Sequence, residues 1–222
     1  MEQMELLAQT PLFEGLDRRE IAAALDSFAA RRMHFERGQL IRRSGEPARE
    51  MGLVLSGMVH MIKEDYWGGS SLLGRAGPGE LFAEAYACGR AGVMGCSVFA
   101  AEPAEILFLN VRNMMEGGDT PCGLHSRIMR NLAAVMAEKN CGLARKISHI
   151  SKRSLREKIL SYLSAEAEEQ GSAEIIVPYN RQQMADYLSA DRSALSAELG
   201  RMQREGILTY KKNRFSLLRH RQ

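Results

Sequence analysis

The chain has few cysteines and no paired cysteine motif. Its four cysteines, Cys88, Cys96, Cys122 and Cys141, are spread along 222 residues, and none forms a C-x-x-C pair. This spacing lacks the usual zinc-binding patterns and indicates a reducing compartment without structural disulfides. The five histidines are equally scattered, so we expect no metal site.

Long apolar runs and a targeting segment are also missing. No stretch approaches the roughly 20 apolar residues that span a bilayer. The amino terminus, MEQMELLAQTPLFEGL, has acidic residues where a signal peptide has basic ones. We therefore expect a cytoplasmic protein that does not associate with a membrane. The sequence also lacks a nucleophile elbow, a phosphate loop and a convergent carboxylate pair, so we expect no catalytic residues and no enzymatic activity.

The net charge is small, at +3, but it is unevenly distributed. Residues 142–222 carry 15 Lys and Arg against 9 Asp and Glu, whereas residues 1–141 carry 15 against 18. A basic carboxyl-terminal part on a chain of this length indicates a domain that binds an anionic partner such as nucleic acid.

Residues 180–202, NRQQMADYLSADRSALSAELGRM, have the pattern of two short helices joined by a tight turn. The turn is predicted at Ser189 and Ala190. Asp191 lies where the N-cap of the second helix belongs, because its carboxylate can accept backbone N–H groups there. An ordinary helical hairpin and a helix-turn-helix both fit this segment. In the second motif, the second helix enters the DNA major groove.

The segment that follows Gly206 favours DNA binding. In ILTYKKNRFSLL, β-branched and aromatic residues flank a polar turn from Lys211 to Arg214, which predicts a β-hairpin. A helix-turn-helix followed by a basic hairpin is a winged helix. The basic residues at the tip of the hairpin would contact phosphates.

The amino-terminal half predicts an antiparallel β domain. Residues 2–10 and 17–30 have helical patterns, and Asp17 can cap the second of these helices. From Met33 to Leu109, short apolar runs alternate with turns that contain glycine. Several short strands with regular turn signals indicate a sandwich or a barrel.

A long helix is predicted from Leu124 to about His149. It exceeds the usual globular length of about 8–20 residues, so its apolar stripe suggests a coiled-coil partner. Packing on its own domain is the alternative, and the two can use different faces. The predicted dimer contacts are Ile128, Leu132, Val135, Met136, Leu143 and Ile147.

The order of helix, β-roll, long helix and winged helix resembles the CRP/FNR family of bacterial transcription regulators over nearly the whole chain. The resemblance is carried by PLF at 11–13 and by the roll segments GQLIRRSGEPA, MGLVLSGMVHM and PGELFAEAYAC. It is most specific in the DNA-binding segment NRQQMADYLSADRSALSAELGRMQREGIL. It implies an α+β fold with a cupin-like β-roll of the cyclic-nucleotide-binding-domain type at residues 1–120. A dimerisation helix at 121–151 and a winged helix-turn-helix at 152–222 would follow.

The resemblance also implies a function. Members of the family are homodimers that bind double-stranded DNA. We therefore expect an inverted-repeat operator, a small-molecule or redox effector sensed in the roll, and RNA polymerase as a partner. In common members the reading helix exposes Glu and then Ser-Arg. The matching positions here are Ser193, Ser196 and Ala197, so Arg192 is expected to take over part of the base readout. The predicted DNA-binding residues are Arg181, Gln182, Asp191, Arg192, Ser193, Ser196, Lys211, Lys212 and Arg214.

The effector cassette departs from that of the cyclic-nucleotide-binding relatives, which have Gly-Glu and, further along, Arg-Ser. Glu84 matches the Glu, Ala83 stands in place of the Gly, and Met94-Gly95 replaces Arg-Ser. Because an anionic phosphate in a partly dry pocket needs a cation or several donors, cAMP is disfavoured. We still expect the pocket in the roll, against the long helix. The predicted effector-binding residues are Leu81, Phe82, Glu84, Met94, Gly95, Asn140, Leu143 and Ala144.

Two other cofactors are disfavoured. The oxygen-sensing branch of the family holds an iron–sulfur cluster on cysteines near its amino terminus, and the first 87 residues here contain none. A haem needs an axial ligand, for which Cys88, Cys96 and His125 are the candidates. The sequence names no effector, operator or sign of regulation.

Two other classes of protein share part of the pattern. A cupin-type metal-dependent enzyme would need a His-x-His motif, and the roll has only His34 and His60, well separated. A ligand-binding regulatory module without DNA binding is the other class, and the predicted winged helix argues against it.

Overall fold

The computed structural model describes residues 2–116 and 122–218. It divides into two compact units, residues 1–138 and 139–222, which are described separately below. The three-part division at residues 120 and 151 stays a prediction.

The first unit begins with two helices, α1 (Glu2–Gln9) and α2 (Arg18–Ser27), with a 3₁₀ turn at Pro11–Phe13 between them. The predicted cap of the second helix is confirmed. The Asp17 carboxylate accepts the N–H groups of Arg19 and Glu20, and the Glu20 side chain accepts the Asp17 N–H. This reciprocal capping fixes where α2 begins.

Eight strands form two four-stranded antiparallel sheets, as the alternation of apolar runs and turns predicted. The sheet orders are β1-β8-β3-β6 and β2-β7-β4-β5. The strands are β1 (Arg31–Phe35), β2 (Leu40–Arg42), β3 (Glu50–Ser56), β4 (Val59–Glu64), β5 (Ser70–Ala76), β6 (Leu81–Phe82), β7 (Ser97–Ala100) and β8 (Ala104–Asn110). Two short helices, α3 (Glu84–Ala87) and α4 (Val111–Glu116), follow β6 and β8.

The central strands β3 and β8 are buried on both faces, which explains their nearly continuous apolar sequences. Val54 and Phe108 point into the interior of the roll, whereas Leu53 and Leu109 belong to a second core. That second core also contains Phe13 and other residues of the amino-terminal helices. Successive strand residues point to opposite faces, so one strand contributes to both cores.

The long helix α5 (Cys122–Ile150) confirms the predicted helix. Its first half packs on the first unit, where Arg127 forms an ion pair with Glu20 at 2.6 Å. Asn131 donates to the carbonyl oxygens of Leu12 and Glu14.

This packing involves four of the residues that were predicted as dimer contacts. Ile128 and Leu132 are 0% and 2% exposed and belong to the core of their own protomer. Val135 and Met136 are half-buried against the same core. A side chain that is buried in its own core offers little surface to a partner, and the part of Ile128 and Leu132 in a dimer interface stays a prediction.

The second unit contains the carboxyl-terminal half of α5, three further helices and a three-stranded sheet of order β10-β11-β9. Its core contains Leu163, Val177, Leu195, Met202 and Phe215. The elements are α6 (Leu155–Gln170), β9 (Glu174–Ile176), α7 (Arg181–Tyr187), α8 (Arg192–Arg204), β10 (Leu208–Lys211) and β11 (Arg214–Leu217). The predicted pair of helices and the predicted hairpin are both confirmed.

The turn between α7 and α8 has a strained residue. Ser189 has φ +49°, in the left-handed region, and it is exposed. This conformation costs a residue with a Cβ about 1–2 kcal/mol of conformational free energy, whereas glycine adopts it freely.

Ser189→Gly should therefore stabilise the protein by about 1 kcal/mol, because no buried contact is lost with the exposed hydroxyl. Thermal denaturation at neutral pH should show a rise of a few degrees. Ser189→Ala is the matched control, since it removes the hydroxyl but keeps the Cβ. If the glycine and alanine variants melt alike, the turn is not strained.

Candidate nucleic-acid interface

The amino-terminal half of α8 presents an exposed face of one long and several small side chains. The Asp191 carboxylate caps the helix by accepting the Ala194 N–H at 2.9 Å, as predicted. Arg192, Ser193 and Ser196 are all exposed. This face can approach a polyanion closely, and Arg192 can extend beyond the small residues around it.

Two of the predicted contact residues have polar groups that are used within their own helices. The Ser196 hydroxyl donates to the Arg192 carbonyl at 2.9 Å. The Gln182 amide donates to the Asp186 carboxylate at 2.8 Å. The hydroxyl proton of Ser196 is therefore occupied, and only its lone pairs can face a ligand.

The hairpin of β10 and β11 presents the second basic surface, with Lys211, Lys212 and Arg214 all exposed. These three residues are called the wing tip. The turn is fixed to the rest of the sheet by Asn213, whose side chain donates to the Val177 carbonyl at 3.1 Å. The Asn213 carbonyl in turn accepts the Val177 N–H at 2.9 Å.

Arg181, one of the predicted DNA-binding residues, packs against the hairpin. It is half-buried, and its guanidinium carbon lies 5.0 Å from the ring centre of Tyr210 and 5.6 Å from that of Phe215. One nitrogen donates to the Lys212 carbonyl at 3.1 Å. Burial lowers the pKa of Arg181 below its ordinary value, because the charged form has lost part of its hydration.

An ion-pair cluster that the sequence interpretation missed joins α6 to α8. Glu198 is buried and lies 3.1 Å from Arg201 and 3.9 Å from Arg156. Arg156 also pairs with Glu205. One feature of the sequence could have indicated this cluster: a glutamate occupies a position on the inward-facing side of α8, directly after Ala197. Such a buried carboxylate needs a cationic partner.

A second missed cluster lies where the end of α5 packs within the second unit. A hydrogen bond of 2.8 Å joins His149 Nδ1 to the Ser161 hydroxyl, and the imidazole packs against the rings of Tyr162 and Tyr187. Burial lowers the pKa of His149, so the ring is neutral at neutral pH. An isolated histidine in the sequence gave no sign of this packing.

The predicted effector residues of the roll lie on β6, α3 and the loop before β7. Phe82, Glu84 and Met94 are buried, and Phe82 packs edge-to-face on Phe108. The Ala83 backbone has φ +63°, in the left-handed region, which fits the glycine of the related cassette. Leu81 is buried in the second core of the first unit, whereas Gly95 is exposed.

The remaining three predicted effector residues lie on α5 in the second unit. Asn140, Leu143 and Ala144 are all exposed. Their role in an effector pocket stays a prediction.

The candidate haem ligands have ordinary local roles. Cys88 is half-buried, and burial together with the nearby Glu84 carboxylate raises the pKa of its thiol. Cys96 is buried, and His125 Nε2 forms a hydrogen bond of 2.8 Å with the Met114 carbonyl. Over residues 2–116 and 122–218, no group of three or more His, Cys, Asp and Glu could hold a metal ion.

Solved structures share this fold across most of their length. CLP, a c-di-GMP-responsive global regulator of Xanthomonas campestris, matches with TM-score 0.60 at 19% identity, over 91% of this chain and 100% of that chain. FixK2 from Bradyrhizobium japonicum matches with TM-score 0.54 at 17% identity, over 86% and 93%. DNR from Pseudomonas aeruginosa matches with TM-score 0.51 at 20% identity, over 97% and 93%. A comparison with curated proteins gave no match.

Two family models match the chain in succession. The cyclic nucleotide-binding domain matches residues 32–117, and the Crp-like helix-turn-helix domain matches residues 157–222. The chain belongs to the CRP/FNR family. It is therefore a transcription regulator with an amino-terminal sensor domain and a carboxyl-terminal DNA-binding domain.

Membership of the CRP/FNR family does not favour the two other classes of protein, the cupin-type metal-dependent enzyme and the ligand-binding module without DNA binding. Proteins of this family are transcription regulators, which are generally not enzymes, so a cupin-type metal enzyme is not favoured. The helix-turn-helix match argues against a sensor module that lacks DNA binding. Within the described parts of the chain, no helix is both long and apolar enough to cross a membrane.

The CRP/FNR family supports a dimer, and α5 has exposed apolar side chains that suit one. Leu143 and Ile147 are each 60% exposed and are four residues apart on one helix face. Asn140 precedes Leu143 by three residues, shares that face and is also exposed. These two apolar side chains are available for contact with a partner.

Proposed function

We propose that this regulator acts as a homodimer that binds an inverted-repeat operator through α8 and the wing tip, under control of a small molecule sensed in the roll. The observation that carries the proposal is the exposed face of α8 beside Arg192, within the same compact unit as the basic hairpin. RNA polymerase as a partner and a cytoplasmic location fit this function.

The contacts with DNA divide into two kinds. We assign base readout to Arg192, because a guanidinium can bond in bidentate fashion to guanine O6 and N7. The small neighbours Ser193 and Ala197 allow the helix backbone to approach the groove, and a methyl group such as that of Ala197 suits thymine. We assign phosphate contacts to the wing tip, where flexible cations position the protein without reading sequence.

The dimer would form along α5. Met136, Asn140, Leu143 and Ile147 follow one another at spacings of four, three and four residues, which is the heptad spacing of a coiled-coil seam. A single polar residue such as Asn140 in an apolar seam can fix register and the two-stranded state. Two winged helices joined in this way would present their reading helices about one DNA turn apart, roughly 34 Å.

Selection from a random duplex library tests the proposed function. The purified chain should enrich an inverted repeat with half-site centres one helical turn apart. Enrichment of a single unrepeated site, or of no sequence at all, would argue against a dimeric reader.

The effector site is proposed around Glu84 in the roll. Met94 supports a ligand other than cAMP, because its buried thioether offers no positive charge and no hydrogen-bond donor to a cyclic phosphate. The description of CLP as c-di-GMP-responsive makes that dinucleotide a second ligand to examine.

Isothermal titration calorimetry should show no heat of binding for cAMP at micromolar concentrations. The physical reason is the absence of a cation at Met94 to neutralise the phosphate. The same titration with c-di-GMP examines the larger ligand. Saturable micromolar binding of cAMP that is lost in Glu84→Gln would contradict the interpretation of Met94 while keeping the pocket in the roll.

A further inference from the structure

The turn of the wing is held from two sides. On one side, Asn213 forms two hydrogen bonds with Val177, at the end of β9. On the other side, the guanidinium of Arg181 donates to the Lys212 carbonyl at 3.1 Å. Arg181 is the first residue of α7, so this second bond joins the helix-turn-helix to the wing.

The turn requires such support because of its backbone. Lys212 has φ +57°, a left-handed conformation that costs a residue with a Cβ about 1–2 kcal/mol. Without external hydrogen bonds, the turn would be expected to sample other conformations. Each of them would point the side chains of Lys211 and Lys212 in a different direction.

The surroundings of Arg181 suit a guanidinium and not a general cation. Tyr210 and Phe215 are partners across the β10–β11 ladder, with their rings stacked at a centroid distance of 5.6 Å. The planar guanidinium lies over both rings while one nitrogen reaches the turn. A lysine ammonium cannot stack in this way, since it is a compact and strongly hydrated charge.

We infer that Arg181 is a positioning residue for DNA binding: it fixes the wing turn so that the wing tip meets the phosphates, and it does not bind a phosphate itself. The inference rests on the proposed phosphate contacts of Lys211, Lys212 and Arg214. It gives Arg181, which was predicted to bind DNA, an indirect part in that binding.

A double-mutant cycle between Arg181 and the wing tip tests the inference. Operator affinity is measured at several salt concentrations for four full-length proteins: the wild type, Arg181→Ala, the triple variant Lys211→Ala/Lys212→Ala/Arg214→Ala, and their combination. Arg181→Ala should weaken binding by about tenfold when the wing tip is intact, the change that ~1.4 kcal/mol corresponds to. It should change binding by less than about twofold once the wing tip is removed, because it acts only through those residues.

The salt dependence distinguishes positioning from direct contact. A direct phosphate ligand contributes its own released counterion, so its removal lowers the slope of log affinity against log salt by about one unit per half-site in either background. A positioning residue lowers the slope only when the wing tip is present. Equal losses of affinity in both backgrounds, with a further fall in slope, would overturn the inference and restore the phosphate contact. No loss in either background would also overturn it.

The triple variant separates this inference from the proposed function. If removing the wing tip leaves the affinity and the salt slope unchanged, the proposed phosphate contacts are wrong. If the triple variant loses affinity but Arg181→Ala adds its full loss on top, only the inference fails.

Two further variants exclude simpler explanations. Arg181→Lys keeps the charge, so it should restore most of the affinity if Arg181 acts on a phosphate and little of it if Arg181 positions the turn. Arg204→Ala is the charge-matched control, because Arg204 is exposed near the end of α8 and bonds only the Gly200 carbonyl of its own helix among the bonds described. It should bind the operator as the wild type does. Circular dichroism of each variant checks that the second unit is folded.

Discussion

Replacing Leu143 and Ile147 together with aspartate is expected to convert the regulator to monomers and to lower operator affinity by at least ~100-fold. Both side chains are 60% exposed in a single chain, so the substitution removes little from the fold of the protomer. In the proposed dimer it places four carboxylates in an apolar seam. Unpaired buried charges cost several kcal/mol, which exceeds what a seam of this length can supply.

Sedimentation velocity at micromolar protein concentration measures this effect directly. Ala134→Asp/Cys141→Asp is the matched control, because it adds the same charge at two exposed positions of α5 that lie roughly 140° round the helix from the centre of the seam. The control should stay dimeric. A dimeric Leu143→Asp/Ile147→Asp protein would show that the interface lies elsewhere on the chain.

Arg192→Ala should produce the second large effect, a loss of about 1–3 kcal/mol in operator binding for each half-site. The loss should appear only on the operator, since a bidentate contact with guanine distinguishes one base pair from the others. Titration of operator and random duplexes at several salt concentrations provides the measurement.

Lys212→Ala is the informative contrast to that variant. It should weaken binding to operator and random DNA alike and lower the salt slope by about one unit per half-site. If Arg192→Ala also costs the same on both duplexes, α8 does not read bases through this residue.

The winged helix could be predicted in detail because its signals are local. Asp191 caps a helix within three residues of itself, and the polar turn from Lys211 to Arg214 is bounded by Tyr210 and Phe215. Caps and turns depend on neighbouring residues, so the sequence records them directly. The strands of the roll were also predicted from a local pattern, in which short apolar runs alternate with turns that contain glycine.

The partners of the apolar stripe on α5 could not be predicted from the sequence. A helical spacing of apolar residues shows that one face of a helix is apolar, but it does not show which other part of the protein packs against that face. Ile128 and Leu143 fit one stripe in the sequence, yet the first is fully buried in its own protomer and the second is exposed. The difference arises from contacts with residues more than one hundred positions away, such as the bond between Asn131 and Leu12.

The contacts of Arg181 could not be predicted for the same reason. Its partners, Tyr210, Lys212 and Phe215, lie about thirty residues further along the chain, on a different element. A basic residue at the start of a DNA-binding helix has the sequence pattern of a phosphate ligand. Only the packing of the hairpin on α7 shows that its guanidinium is already engaged.

The central claim is that two copies of α8 read the two halves of one operator. The most direct measurement compares the affinity of the wild-type protein for the selected inverted repeat and for the same duplex with one half-site scrambled. We expect the scrambled duplex to bind at least ~100-fold more weakly, because one reading helix loses its base contacts while the phosphate contacts remain. Equal affinity for the two duplexes would contradict the account.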